Sequence, residues 1–134
     1  MTTTPAHVPP SQGSPLLQLQ DLNVRYGRVQ ALDRLDLEIH PGELVALLGS
    51  NGAGKSTTLR AISRLVPLAG GQIRWRGGRI ESVSTATTVR LGISHCPEGR
   101  RVLARQSVAD NLTLGAWLRR DRGAVTADLE RCYA

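Results

Sequence analysis

Residues 49–57 of this chain are Gly49-Ser50-Asn51-Gly52-Ala53-Gly54-Lys55-Ser56-Thr57. The stretch matches G-x-x-x-x-G-K-[ST], the pattern of the phosphate-binding P-loop. Glycines let backbone N–H groups surround a phosphate, and the only lysine of the chain, Lys55, can reach the β- and γ-phosphates as a compact point charge. Ser56 places a hydroxyl where Mg²⁺ binds. We therefore predict that all nine residues bind nucleotide phosphate, that Lys55 is catalytic and that Ser56 contacts the metal.

The segments on either side of this loop fit the same prediction. Residues 44–48 form a continuous apolar run, which predicts a strand that is buried on both faces. Residues 55–65 carry apolar side chains at helical spacing, and Pro67 ends the pattern. The order strand, loop and helix indicates a P-loop α/β fold. The alternative, a glycine-rich turn that happens to precede a lysine, is less favoured.

The composition limits the number of domains and the kinds of partner. A length of 134 residues predicts one domain at most. The chain has no run of eighteen apolar residues, so no membrane span is expected. The formal charge of +6 comes from scattered arginines with few aromatic residues between them, which favours solvated surfaces over a nucleic-acid site. Cys96 and Cys132 have no metal or disulfide spacing, which suits a reducing cytosol.

The sequence at each end of the chain predicts a local structure. Residues 1–15 are polar and rich in proline, which predicts a disordered tail and no signal peptide. A last helix is predicted from Thr126, with Asp128 and Glu130 in its first turn. Leu129 and Tyr133 begin an apolar stripe that no later residue continues. We therefore expect that the sequence stops inside a helix.

Other elements follow from alternation and from capping signals. Ser107 and Asp110 form a capping-box pattern, so a helix is expected to begin at Val108. The apolar phase changes at Asp21, which predicts a β-bulge there. The remaining predicted elements are strands over residues 17–26, 35–39, 73–75 and 93–96, and helices over residues 85–91 and 108–120.

Several of these stretches together resemble a known family. Tyr26-Gly27, the loop at 49–57 and Pro97-Glu98-Gly99-Arg100-Arg101-Val102 resemble the nucleotide-binding subunit of ABC transporters. The run at 97–101, followed by Ser107-Val108-Ala109-Asp110-Asn111-Leu112, is similar to ATPases of branched-chain amino acid importers. The resemblance covers about residues 16–134. It implies the N-terminal part of an ABC ATP-binding domain, with an incomplete helical subdomain that begins near residue 107.

The resemblance also implies cofactors and site residues. ATP and Mg²⁺ are the expected ligands. Tyr26 matches an aromatic residue that stacks on adenine, although a tyrosine at the rim of the core explains the same pattern. Glu98 matches a residue that meets Mg²⁺ or the attacking water, which makes it a catalytic and metal-binding candidate. Glutamine is usual at that position, but glutamate is ordinary in the branched-chain group. The alternative for Glu98 is a solvated loop carboxylate.

Three functions remain open at this point. The first is the ATP-binding subunit of an importer, which couples ATP hydrolysis to uptake of branched-chain amino acids or a related solute. Its expected partners are membrane permease subunits and a second ATP-binding subunit, at the cytoplasmic face of the cell membrane. The second is nucleotide binding without turnover, because no signature motif, acidic strand end or switch histidine is found. The third is a small phosphotransferase with Arg100, Arg101 and Arg105 as a lid, which the match at residues 97–101 disfavours.

Overall fold

A computed structural model describes residues 13–99 and 101–134 of the chain. Most of the predicted tail, residues 1–12, and Arg100 lie outside the described residues. The chain divides into two compact units, Met1–His95 and Cys96–Ala134, and each is described by itself. Within the described ranges, none of the helices has both the length and the apolar character needed to cross a bilayer.

The first unit is built on a four-stranded antiparallel sheet with the order β2-β1-β3-β4. Its long central strand, β1, pairs with β2 on one side and with β3 on the other. Two helices belong to the same unit. The elements are β1 (Leu17–Tyr26), β2 (Val29–Ile39), α1 (Lys55–Ile62), β3 (Gly70–Trp75), β4 (Gly78–Arg79) and α2 (Thr85–Arg90).

Strand β1 changes its buried face halfway along, as the sequence predicts. Leu17 and Leu19 are buried before the change, and Leu22 and Val24 are buried after it. Between them, Asp21 has a φ of 48° and the pairing with β2 shifts register. The predicted β-bulge is therefore confirmed. It keeps apolar side chains on the core side of the sheet through the whole strand.

The core of the first unit lies between this sheet and helix α1. Leu19, Leu22 and Ile73 of the sheet are completely or almost completely buried, and Ala61 and Ile62 of α1 join the same cluster. Full burial of one large aliphatic side chain contributes about 1.5–3 kcal/mol. Aliphatic residues supply this core because the chain has no phenylalanine. The position of α1 is thereby fixed against β1 and β2.

The strand predicted over residues 44–48 is wrong. The backbone at residues 43–50 forms no strand, and Leu44 and Leu48 are 100% and 78% exposed. An apolar strand of this kind requires a paired strand at each edge and a covered surface on each face. In the sheet of the first unit, β2 and β4 are the edge strands, and among the described residues neither pairs with this segment.

Two shorter predictions also need correction. The strand predicted over 93–96 is absent; instead, Ile93 packs on the core and its amide donates to the Thr88 carbonyl at 3.3 Å. Helix α1 ends at Ile62, three residues before the predicted end. The reason is the left-handed backbone of Arg64, whose φ of 58° cannot continue a right-handed helix.

The second unit contains two helices, α3 (Val108–Gly115) and α4 (Arg122–Tyr133). The Ser107 capping box is confirmed, since the Ser107 hydroxyl accepts from the Asp110 amide and Asp110 accepts from the Ser107 amide. Helix α3 is five residues shorter than predicted. Helix α4 begins four residues before Thr126, which places Asp128 in its middle rather than in its first turn.

An ion-pair network connects helix α4 with the segment that precedes it. Arg119 pairs with Asp121 and Asp128, and Asp128 also pairs with Arg131. The hydrogen bond from Arg119 lowers the pKa of the Asp121 carboxyl below its usual range. Asp128 is therefore held by one arginine before α4 and by one arginine within it.

Candidate functional site

The glycine-rich loop leads directly into helix α1 of the first unit. Gly54 is the N-cap residue of this helix, with a φ of 90°, and no side chain caps the helix at this end. A Cβ atom at Gly54 would lie 2.6 Å from Leu32 Cδ2 and 2.9 Å from the Ala31 carbonyl oxygen. Glycine is therefore required here by its backbone conformation and by the close approach of the loop to β2.

The ammonium group of Lys55 folds back over the loop. Its Nζ donates to the Gly49 carbonyl at 2.6 Å and to the Ser50 carbonyl at 2.8 Å. The crest of the loop, Asn51 to Ala53, is exposed, and the Ala53 amide donates to the Ser50 carbonyl at 3.1 Å. The arrangement places a positive charge against a loop whose residues Asn51 to Ala53 are open to solvent. Phosphate oxygens can replace the two carbonyls as acceptors for Lys55.

The N-terminus of α1 favours a bound anion, in addition to the charge of Lys55. The first amides of an α-helix have no intrahelical acceptor, and the helix dipole favours negative charge there. The Thr58 amide already donates to the Gly54 carbonyl at 2.8 Å, and the Thr58 hydroxyl donates to the same oxygen at 3.0 Å. The buried Thr58 was not predicted from the sequence, although a hydroxyl in the first turn of a helix is a usable signal. Thr57, beside it, is partly buried.

Ser56 lies exposed on the first turn of α1, at the mouth of the loop. Among residues 13–99 and 101–134, no cluster of three or more His, Cys, Asp or Glu side chains could hold a metal ion. Mg²⁺ usually takes one or two protein ligands and completes its shell with phosphate oxygens and water. The residues present fit that mode: Ser56 is the ligand that the loop would supply beside a bound phosphate.

Tyr26 ends β1 at the tip of the β1–β2 hairpin, where it pairs with Val29. Its side chain is 43% exposed. Strand alternation puts it on the same face as the buried Val24, which is the side of the sheet on which α1 packs. Val29 is three residues from Leu32, where Gly54 meets β2, a distance of about 10 Å along the strand. The first unit therefore brings Tyr26 and the P-loop to the same stretch of β2.

Glu98 belongs to the second unit and lies in a bend before Arg100, which is outside the described residues. Its side chain is exposed, and its backbone carbonyl accepts from Arg101 Nε at 3.3 Å. The structure thus collects the P-loop residues and Tyr26 in one unit and places Glu98 in the other. The catalytic and metal-binding roles of Glu98 stay predictions.

Comparison with known proteins connects this site to a family. The family model described as ABC transporter matches residues 32–133. The chain is 38% identical over 102 residues to the high-affinity branched-chain amino acid transport ATP-binding protein BraG of Pseudomonas aeruginosa, which covers 76% of this chain and 44% of the relative. It is 41% identical over 106 residues to the fructose import ATP-binding protein FrcA of Rhizobium meliloti, with coverages of 79% and 41%. The chain thus spans less than half the length of these relatives.

Solved structures give the same fold. A nucleotide-free ATP-binding cassette from an ABC transporter matches with a TM-score of 0.65 at 17% identity, over 87% of this chain and 52% of that one. An ATP-binding cassette of an ABC transporter in its ADP conformation matches with a TM-score of 0.57 at 22% identity, over 60% and 32%. At these identities the likeness concerns the fold alone. Together with the family match, it shows that the chain belongs to the ABC transporter family and carries part of its P-loop ATP-binding domain.

Proposed function

We propose that this chain is the N-terminal part of the ATP-binding subunit of an ABC importer that takes up branched-chain amino acids or a related solute. The observation that carries the proposal is the loop at residues 49–57, with Lys55 drawn over it and the uncapped start of α1 beside it. ATP supplies the phosphates for this loop and Mg²⁺ screens their charge. The protein acts at the inner face of the cell membrane, with permease subunits and a second ATP-binding subunit.

The transported solute is the part of the proposal that needs its own experiment. Relatives named for branched-chain amino acids and for fructose match this chain about equally well. The runs at 97–101 and 107–112 support the amino acid. We propose to reconstitute the full-length product of the gene with its permease subunits in vesicles and to measure ATP-dependent uptake of leucine and of fructose. Leucine uptake that fructose does not compete supports the proposal, whereas uptake of fructose alone contradicts it.

For the 134 residues themselves we propose nucleotide binding without catalytic turnover. Phosphoryl transfer depends on a positioned water and on electrostatic stabilisation, and the sequence has neither the acidic strand end that would orient the water nor the signature motif. We expect saturable Mg-ATP binding by calorimetry and phosphate release of less than one equivalent. Multiple turnovers that disappear in Lys55→Ala would contradict this part. Transfer of phosphate to a small hydroxyl compound would instead favour the phosphotransferase alternative.

We predict that Tyr26→Ala weakens ATP binding by about 1–3 kcal/mol, the range measured for stacking of bases on aromatic side chains. The reason is that the half-exposed ring lies on the P-loop side of the sheet. Calorimetry should compare ATP with ribose triphosphate, which lacks the base. Tyr133→Ala, in the second unit, is the matched control because it removes the other tyrosine. An equal loss for both ligands in Tyr26→Ala would mean that the ring has a structural role.

A further inference from the structure

A groove lined by two arginines lies at the end of the sheet where β1 begins and β3 ends. It is a groove of about 460 Å³, and its lining includes Ser14, Gln18, Arg74, Arg76 and Gly77. Tyr26 is at the opposite end of β1, about 30 Å away along the strand. The groove is therefore separate from the P-loop and from the proposed adenine site.

Arg74 stands in the middle of a polar row that crosses the outer face of the sheet. It pairs in register with Gln18 of β1 and with Arg79 of β4. Its Nη2 donates to Gln72 Oε1 at 3.3 Å, but its Nε is shielded from solvent and has no hydrogen-bond partner in the described part of the chain. A shielded donor of a charged group without an acceptor is destabilising, and the other nitrogens of the Arg74 guanidinium are not among the shielded, unpartnered atoms.

Arg76 is held in place from two directions. Its guanidinium lies over the Trp75 ring, 5.4 Å from the ring centroid, and its amide donates to the Leu16 carbonyl at 2.8 Å. The indole is itself anchored, because Trp75 Nε1 donates to the Leu91 carbonyl at 2.9 Å. A guanidinium stacked on an aromatic ring keeps its in-plane donors for an anion.

The backbone at Arg76 is strained for this residue type. Arg76 and Gly77 form the two-residue turn between β3 and β4, and both have positive φ, 51° and 81°. Such turns favour glycine or asparagine, because a larger side chain is disfavoured in the left-handed region. The sequence nevertheless has an arginine at the first of the two positions.

The positive charge of the groove is not balanced by a carboxylate. Across residues 13–99 and 101–134, neither Arg74 nor Arg76 forms an ion pair. The neighbouring Arg79 forms an ion pair with Glu81. Burial raises the pKa of the Glu81 carboxyl, but hydrogen bonds from its own amide and from Arg79 lower it by more. The pKa of Glu81 is therefore below its usual value. Residues 1–12 contain no aspartate or glutamate.

The nearest acidic residue in the same row is also engaged. Glu38 lies beyond Gln18, two strands from Arg74 and about 10 Å away at the usual strand spacing. Its Oε1 accepts from Gln18 Nε2 at 2.7 Å. This carboxylate therefore bonds to Gln18, while Arg74 and Arg76 both line the groove without an ion-pair partner in the described part of the chain.

We propose that this groove binds a phosphate group, either free inorganic phosphate or the phosphomonoester of a small metabolite. A phosphomonoester carries about 1.5–2 negative charges at pH 7, which matches the two guanidiniums, whereas a single carboxylate leaves one of them unpaired. Arginine forks also donate in pairs to phosphate oxygens. The site is independent of the nucleotide site, so it responds to phosphate even when the P-loop is disabled.

The experiment uses Trp75 as the reporter, in a Trp117→Phe background that leaves it the only tryptophan. Fluorescence is followed during titration with inorganic phosphate and, separately, with glycerol 3-phosphate, against sodium chloride at equal ionic strength. A saturable change with either phosphate compound, and none with chloride, is expected. Tighter binding of inorganic phosphate identifies the free ion as the ligand, and tighter binding of the ester identifies the metabolite. No change with either compound overturns the proposal.

Substitutions in the groove and in the P-loop distinguish phosphate binding at the two sites. Arg76→Gly is expected to weaken phosphate binding about tenfold or more while the turn becomes less strained, so that loss of folding does not explain the result. Arg74→Gln should have a similar effect, and Arg90→Gln, an arginine outside the groove, should have none. Lys55→Ala should leave the response intact. A response that survives Arg76→Gly and Arg74→Gln but is lost in Lys55→Ala would assign it to the P-loop and overturn the proposal.

Discussion

ATP affinity is expected to fall by about 30- to 160-fold when Lys55 is replaced with alanine, because a charge-assisted contact to phosphate contributes about 2–3 kcal/mol. The Lys55 ammonium already lies over the loop, bonded to the carbonyls of Gly49 and Ser50 at 2.6 and 2.8 Å. Alanine removes the charge and leaves the backbone of the loop unchanged. Calorimetric titration of the parent chain and of Lys55→Ala with Mg-ATP measures the difference.

Two further variants make this result specific. Arg60→Ala removes an exposed cation from the last turn of the same helix, at a distance from the loop, and should bind ATP as the parent does. Lys55→Arg keeps the charge but replaces a compact ammonium by a planar fork, and we expect it to restore little affinity. Equal affinities of the parent and Lys55→Ala would exclude the P-loop from nucleotide binding.

Features set by neighbouring residues could be predicted from the sequence. The P-loop, the capping box at Ser107 and the bulge at Asp21 each depend on residues within a few positions of one another. Membership of the ABC transporter family was also predicted from short motifs, and the match of the family model over residues 32–133 confirms it. Local patterns of this kind are sufficient where hydrogen bonds and backbone angles within one segment decide the structure.

Features that depend on distant partners could not be predicted in the same way. The apolar run at 44–48 has the composition of an interior strand, but pairing requires neighbours that no local pattern supplies, and the segment is exposed. The groove of Arg74 and Arg76 is a similar case. The two arginines look like part of a scattered positive surface until the register of β1 with β3 brings them beside Gln18 and Ser14.

Gly71→Ala is expected to lower the free energy of unfolding of the first unit more than Gly77→Ala does. Gly71 has a φ of 87°, and a Cβ atom there would lie 2.3 Å from the Asp21 carbonyl oxygen and 2.7 Å from that of Gln20. These are backbone atoms of the bulge in β1, so no side-chain rotation can relieve the contact. The bulge and β3 would have to separate, which removes hydrogen bonds between the two central strands.

The expected loss in the free energy of unfolding is above about 3 kcal/mol, of which the left-handed backbone accounts for about 1–2 kcal/mol. Gly77→Ala isolates that smaller contribution, because Gly77 has a similar φ of 81° and a Cβ atom there would meet nothing within 4 Å. Urea unfolding followed by circular dichroism should therefore rank the parent first, Gly77→Ala second and Gly71→Ala last. If the two variants lose the same stability, the contact with the bulge contributes nothing, and the pairing of β1 with β3 does not depend on a glycine at position 71.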